Sequence, residues 1–241
     1  MKNNYFFIGT KNFFVLNENL EAVFIKENEG LIDLENIKNP VSSYEDLFNV
    51  VSDIYRKFNF KTMVLSDICF NCQVIDIENF PLSHAKREEV LTWKLGNLLP
   101  YKVDSYNVKY RLVDKDKVLF YALPVTIYGI VNKLMEELDL KCWDIMPESS
   151  FITGFLPDLS KNTLFLINRR DYYIGMFFQK GIVTYLKVRK KVAGISFEEE
   201  IELIKKVIYE KFSLDIEEYI LCGKENMPGF KQIFKGFGFE D

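Results

Sequence analysis

His84 is the single histidine of the chain, so any catalytic triad or imidazole-based metal site would have to be built around it. It stands in the first turn of a Lys- and Glu-rich helical stretch and reads as an exposed helix-start residue. Cys69 and Cys72 form a CxxC pair. A redox pair of that kind normally sits at a helix N-terminus, where the dipole lowers the thiol pKa. Here the flanks, 65–68 and 73–77, read as strand and turn, so the pair reads as inert, as do the solitary Cys142 and Cys222 on expected buried strands. Glu198, Glu199 and Glu200 fall in a helix first turn, where the dipole favours carboxylates for structural reasons. Arg169-Arg170 and Arg189-Lys190-Lys191 read as solvated strand ends. Neither GxxxxGK[ST] nor GxSxG occurs. The glycines of Gly236-Phe237-Gly238-Phe239 follow no strand and read as a helix end. On this reading there is no metal site and no catalytic constellation, and the chain is not an enzyme.

The elements that would have to position these groups repeat. Three apolar strand-like runs (5–8, 13–16, 20–25) lead to an amphipathic helix at about 43–58 and a buried strand at 62–66. The same order returns as 163–167, 172–178, 182–188, a helix at about 197–212 and a strand at 219–222. Both helices open on a capping signature, Ser43-Tyr44-Glu45-Asp46 and Ser196-Phe197-Glu198-Glu199. The period is far too long for a solenoid. A β-β-β-α-β unit written twice is the outline of an actin-like (ribonuclease-H-like) α/β fold with a nucleotide cleft between its halves. Different material lies between the copies. Ser83 caps a helix at about 84–97, which stops at Pro100. An alternating strand carries Tyr106, Val108, Tyr110 and Leu112, and an apolar strand spans 118–123. A helix at about 125–138 and a short strand at 140–145 follow. The reading is therefore a first half, 1–156, with a small α+β subdomain inserted at about 78–123, and a shortened second half, 157–241, with 147–162 as the crossover.

Composition agrees with a packed α/β protein. Apolar residues make up 48% of the 241 residues and Phe alone accounts for 22, enough for a sizeable core. The net charge of −4 gives no global field to recruit nucleic acid. The most apolar stretch, 118–131, is interrupted by Pro124 and is too short to span a bilayer. The first residues show no signal-peptide pattern, so a cytosolic protein without a membrane span is expected.

In a nucleotide cleft of this outline each half presents a tight hairpin whose Gly lets backbone N–H groups approach the phosphates. An Asp on each first strand helps hold Mg²⁺, which prefers hard oxygen ligands. The first hairpin here keeps Gly9 and Thr10 but has Phe7 at the acidic position. The second has Leu166 where the Asp would be and Asn168 where the Gly would be. The adenosine turn is reduced to one glycine, Gly223. Gly9, Thr10, Asn168 and Gly223 are thus remnants of nucleotide loops, and neither Mg²⁺ nor ATP is the expected cofactor. The alternative is a nucleotide-binding ATPase whose ligands have migrated.

The middle of the chain carries a resemblance. Residues 75–83 run into a helix containing Glu88-Glu89-Val90-Leu91-Thr92-Trp93, followed by Leu98-Leu99-Pro100-Tyr101 and a strand through Tyr106 and Tyr110. This is similar to the PilM family of type IV pilus assembly proteins and the related GspL cytoplasmic domain of type II secretion. Residues 123–145, and 219–223 with Pro228-Gly229-Phe230, resemble further segments of that family. The resemblance implies an actin-like fold and a cytosolic protein docked on an inner-membrane platform. It also implies a PilN-like or GspM-like membrane partner and contact with the assembly ATPase. The stretch from Val188 to Ser196 leaves no room for the second small subdomain of PilM, which brings the chain nearer GspL. A scaffold that grips a partner's cytoplasmic segment would need apolar and aromatic anchors. Trp93, Leu99, Tyr101 and Tyr106 are the candidates, with Tyr101 and Tyr106 expected on the surface side; the same residues could instead simply close the insert onto the body.

Overall fold

The computed structural model describes residues 4–81, 83–140, 145–156, 159–222 and 227–233. The first half contains β1 (Tyr5–Ile8), β2 (Asn12–Leu16), β3 (Ala22–Glu27), α1 (Tyr44–Phe58) and β4 (Thr62–Leu65). The chain then forms β5 (Asn71–Asp76), α2 (His84–Gly96), β6 (Tyr106–Asp114) and β7 (Lys117–Pro124), returning through α3 (Val125–Glu137), β8 (Ile145–Pro147) and α4 (Glu148–Thr153). The second half contains β9 (Thr163–Asn168), β10 (Tyr172–Gln179), β11 (Ile182–Lys190), α5 (Phe197–Phe212), β12 (Glu218–Cys222) and β13 (Lys231–Ile233).

The two large sheets have one topology. The first runs β3-β2-β1-β4-β8 and the second β11-β10-β9-β12-β13. In each, the first strand pairs antiparallel with the second and parallel with the strand after the helix. The helix that makes this parallel crossover is built alike in both halves. In α1, Ser43 Oγ accepts from Asp46 N–H, Leu47, Val51 and Ile54 are buried, and Asn59 stops the helix at a φ of 47°. In α5, Ser196 and Glu199 make a reciprocal capping box, Ile201, Ile204 and Ile208 are buried, and Ser213 ends it at a φ of 52°. Gly175 on β10 lets α5 come close, because a Cβ there would lie 3.2 Å from Ile204 Cδ1.

A third sheet, ordered β5-β7-β6, holds the insert. It takes in β5, upstream of residue 78, because β5 pairs antiparallel with β7 from Asn71↔Ala122 to Asp76↔Lys117. Alternation makes the central strand β7 serve two layers. Val118, Phe120 and Ala122 pack with Leu91, Leu95 and Leu99 under α2. Leu119, Tyr121 and Leu123 join the core of the main body. That main core is continuous across both halves, uniting Phe6, Phe7 and Phe14 with Phe165, Ile167, Ile174 and Ile220. The part of the strand expected at 140–145 that covers 141–144, with Cys142, lies outside the described residues, and the described strand there is β8. Among the described residues no helix is long and apolar enough to cross a membrane.

Since Phe120 fills the space between α2 and the small sheet at 2% exposure, Phe120→Ala is expected to cost about 3–5 kcal/mol. Urea unfolding of the two proteins measures it.

Candidate functional site

The β1–β2 and β9–β10 hairpins face each other at the junction of the halves, and the space between them is occupied by the chain's own side chains. Arg169, directly after β9, reaches across to Glu148, the first residue of α4, and donates to its Oε1. Tyr172 at the start of β10 donates its hydroxyl to Glu148 Oε2 at 3.0 Å. The same hydroxyl lies 2.7 Å from Ser66 Oγ, just past β4. Next to this group, Asp67 receives Ser149 N–H on Oδ2 and Ser149 Oγ–H on Oδ1, both at 2.6 Å. Asp67, Glu148 and Arg169 are all at most 3% exposed. Phe7, Ile8, Gly9 and Phe14 wall the network, leaving a cavity of about 10 Å³. That is the lower limit for a single water molecule.

Charge in this site is compensated once and then runs out. Burial opposes the Arg169 cation, but Glu148 beside it holds the guanidinium charged. Burial first, and then the nearby Glu148 carboxylate, push Asp67 up to about 7, against the stabilising bonds from Ser149. The CxxC pair borders the same spot. Burial and then Asp67 raise Cys69 and Cys72 well above an ordinary thiol, which is the opposite of an activated pair. Burial likewise takes Cys222 to about 12.

The expected nucleotide-loop residues are placed as follows. Gly9 donates its N–H to Asn12 O at 2.9 Å and closes the first hairpin. Thr10 is half-buried, with its carbonyl accepting from Asn28 Nδ2 at 3.1 Å. Asn168 is the half-buried last residue of β9. Gly223, with residues 223–226, lies outside the described residues. Phe7 is stacked on Phe14 at 4.6 Å and edge-on to Phe151 at 5.1 Å. Leu166 is not a cleft residue, because it packs toward α5 with Tyr173 and Ile204, while Phe165 and Ile167 face the shared core. Arg169 is likewise no solvated strand end, being 3% exposed.

Two open spaces flank this closed one. Outside the hairpin tips, a recess of about 1210 Å³ is bordered by Thr10, Lys11, Asp33, Arg170, Asp171 and Lys191 among others. An exposed ion pair, Lys190 to Glu35 at 2.7 Å, spans it from one half to the other, a contact worth little in water. On the insert side lies a groove of about 230 Å³. Asn107, Lys109 and Arg111 of β6, opposite Leu123, Tyr121 and Leu119 of β7 in register, form one wall. Tyr128 of α3 with Met146 and Pro147 of β8 forms the other. Among the described residues no carboxylate lines it. Among the described residues both β6 and β8 are terminal strands of their sheets, so the groove runs between two sheet edges, the kind of place where a strand can add.

The four candidate anchors divide. Trp93 and Tyr101 are exposed at 70% and 50%. Leu99 and Tyr106 are buried at 8% and 7% in the insert's own core. Tyr106 is therefore no surface-side position: it begins β6 opposite Pro124, facing α2. Sequence reasoning missed the groove and the Asp67–Glu148–Arg169–Tyr172 network. The one sequence signal for the network is polar residues where apolar strands run out: Ser66-Asp67 at the end of the expected strand 62–66, and Glu148-Ser149 at the start of the expected crossover 147–162.

No family model matches the sequence, and no curated protein does. Solved structures do match. A PilM–PilN type IV pilus biogenesis complex aligns with a TM-score of 0.67 at 11% identity, over 92% of this chain and 81% of that one. The fold is actin-like. A Bacteroides thetaiotaomicron protein described as having an actin-like ATPase fold and unknown function gives 0.57 at 13% identity, over 93% and 83%. The cytoplasmic domain of EpsL, an inner-membrane component of the Vibrio cholerae type II secretion system, gives 0.56 at 9% identity, over 98% and 87%.

Two outcomes follow from the buried network. Between 3.8 and about 7 the folded chain keeps a proton on Asp67 that the unfolded chain releases. The contribution of Asp67 to stability is therefore complete at acid pH and lost as pH rises through about 7. Asp67→Asn, a neutral near-isostere, removes this dependence. Its melting temperature relative to wild type should rise by several degrees from about pH 5.5 to about pH 8.5. Separately, Arg169→Met strands the Glu148 charge and is expected to cost about 3–5 kcal/mol, while Glu148→Gln with Arg169→Met should recover most of that loss. Denaturant titration of the three proteins checks it.

Proposed function

We propose that this chain is a non-catalytic, actin-like scaffold on the cytoplasmic side of an inner-membrane platform of a type IV pilus or type II secretion machine. It grips a cytoplasmic segment of a PilN-like or GspM-like membrane protein and is held at the membrane through that partner, with the assembly ATPase as a further contact. One observation carries this reading: the space between the hairpins is filled by Arg169, Glu148 and Tyr172, whereas an open groove runs between two sheet edges. Magnesium nucleotide does not fit the first space. Phe7 offers no ligand, the Glu148 oxygens are engaged by Arg169 and Tyr172, and those of Asp67 by Ser149. Extended peptides bind where main-chain pairing along a strand edge combines with side-chain pockets. The groove supplies both, with Tyr121, Tyr128 and Met146 for an apolar side chain and Arg111 for an acceptor or carboxylate.

The alternative, a nucleotide-binding ATPase of the same machinery, draws on the recess at the hairpin tips with Lys11, Arg170 and Lys191. Two measurements separate them. With millimolar Mg-ATP the melting temperature should stay unchanged, whereas a saturated site would raise it through RT ln(1 + [L]/Kd). A labelled peptide copying the cytoplasmic tail of a PilN-like membrane protein from the same genome should bind by fluorescence anisotropy. Tyr128→Ala with Arg111→Ala should weaken it at least about tenfold, while Cys69→Ser with Cys72→Ser should leave it intact. Phosphate release from ATP, or a peptide affinity indifferent to Tyr128 and Arg111, rejects the scaffold reading at this groove.

A further inference from the structure

The buried Asp67 is not confined to the closed network, because one of its partners also touches the floor of the groove. Tyr121 lines that groove and is 9% exposed. Its hydroxyl shares a side-chain hydrogen bond with Ser149, whose Oγ–H donates to Asp67 Oδ1 at 2.6 Å. A serine hydroxyl has one proton to donate and accepts through its lone pairs. While Asp67 is ionised, Ser149 Oγ–H is turned to the carboxylate, and the Ser149 oxygen accepts from Tyr121 O–H. When Asp67 takes a proton, Ser149 N–H still holds Oδ2 at 2.6 Å, since it can only donate. The hydroxyl on Oδ1 is the partner that can reverse. Asp67 O–H then donates to Ser149 Oγ, Ser149 Oγ–H donates to Tyr121, and the phenol proton swings to its other in-plane position. We propose that Asp67, Ser149 and Tyr121 are a hydrogen-bond relay that regulates the groove, whose floor offers a hydroxyl donor to its occupant only when Asp67 is protonated.

The groups packed around Asp67 leave it as the one that exchanges a proton near neutrality. Cys69 stands on its own turn. Glu148 and Ser149 come from α4, Arg169 from the end of β9, Cys72 from β5 and Tyr121 from β7, with Tyr172 of β10 beyond Glu148. Burial and then Glu148 push Asp67 up to about 7, against the Ser149 bonds and Arg169. Burial and then Asp67 raise Cys69, Cys72 and Tyr121 well above their ordinary values, so these keep their protons. Glu148 keeps Arg169 charged. Farther out, Lys187 of β11 faces Cys72 and Arg111 of β6 faces Tyr121. Cys72 Sγ lies 4.0 Å from Asp67 Oδ1, a weak donor beside the hydroxyl at 2.6 Å. Register fixes Tyr121 in the floor, opposite Cys72 on one side and Lys109 on the other. The occupant is the extended segment of the scaffold reading, on which this inference rests, and the acceptor is one of its carbonyl oxygens. One added hydrogen bond strengthens binding at acid pH by about three- to tenfold. By linkage, the bound segment tightens the hold of Asp67 on its proton by the same factor.

The test reads the relay first in the free full chain. Tyrosine is isotope-labelled at Cζ, and the Tyr121 signal is identified by its loss in Tyr121→Phe. NMR then follows that signal from about pH 5.5 to about pH 8.5. In wild type it should titrate with a midpoint of about 7. Asp67→Asn should hold it at the acid position throughout, because the amide N–H donates to Ser149 as the neutral acid does. Ser149→Ala should remove the response, which separates a relay from the through-space effect of the Asp67 charge. The labelled tail peptide of the PilN-like protein should bind wild type about three- to tenfold more tightly at the acid end. Asp67→Asn should keep the tighter affinity at every pH, while Tyr121→Phe and Ser149→Ala should keep the weaker one. The inference is overturned if the wild-type Tyr121 signal is flat across this range, or if its titration survives Ser149→Ala or Asp67→Asn. It is also overturned if the pH dependence of peptide affinity is unchanged in Tyr121→Phe. A peptide that binds no form of the chain rejects the groove reading instead, and the free-chain titration still decides the relay.

Discussion

The buried ion pair between Arg169 and Glu148 is the constraint on which the arrangement of the two halves depends. Each ion alone, at 3% exposure or less, would carry a desolvation cost of several kcal/mol. Each finds a counter-ion on the other half of the chain. Tyr172 and Ser66 then saturate what the pair leaves open. An ion pair of this kind is a poor source of net stability but a demanding source of geometry. Any opening of the halves that separates Arg169 from Glu148 leaves two dry charges behind. In an actin-like fold that space is where a ligand could bridge the halves; here an internal cation does the bridging.

Around that pair the fold is a duplicated design with one asymmetry. Sheet order, strand directions and helix caps agree between the halves, and the shared apolar core between them is continuous. The asymmetry is the insert, fastened to the first half through the body-facing side of β7. Its attachment creates the groove, because it brings the edge strand β6 alongside β8. The open groove thus arises from where the copies differ, while the space directly between the hairpins is filled.

Much of the architecture is legible in the sequence because it rests on local periodicity. The helix expected at 197–212 spans those residues, and Ser43, Ser83 and Ser196 cap as their positions suggest. The site is far less legible. A charge pair of Arg and Glu reads as solvated by default, since only a distant partner justifies burying either, and Glu148 lies in a stretch that reads as crossover. Leu166 shows the limit of template reasoning. Its position along β9 is where a ligand would be sought, yet strand alternation turns it toward α5. Trp93 and Tyr106 look alike as aromatic candidates, and only the packing of α2 on the small sheet sends one outward and the other inward.

Strand β7 has a further consequence. A one-residue slip of this strand would exchange the side chains under α2 with those on the body, and antiparallel pairing with β5 on one side and β6 on the other holds its register. The small sheet is consequently a fixed spacer. The residues flooring the groove, Tyr121 and Leu123, and those under α2, Phe120 and Ala122, alternate along one inextensible backbone. The depth from the groove to the outer helix is set by one sheet and one helix, roughly 10 Å for packed layers. The insert is thus a spacer of fixed thickness between the groove and its own outer helix.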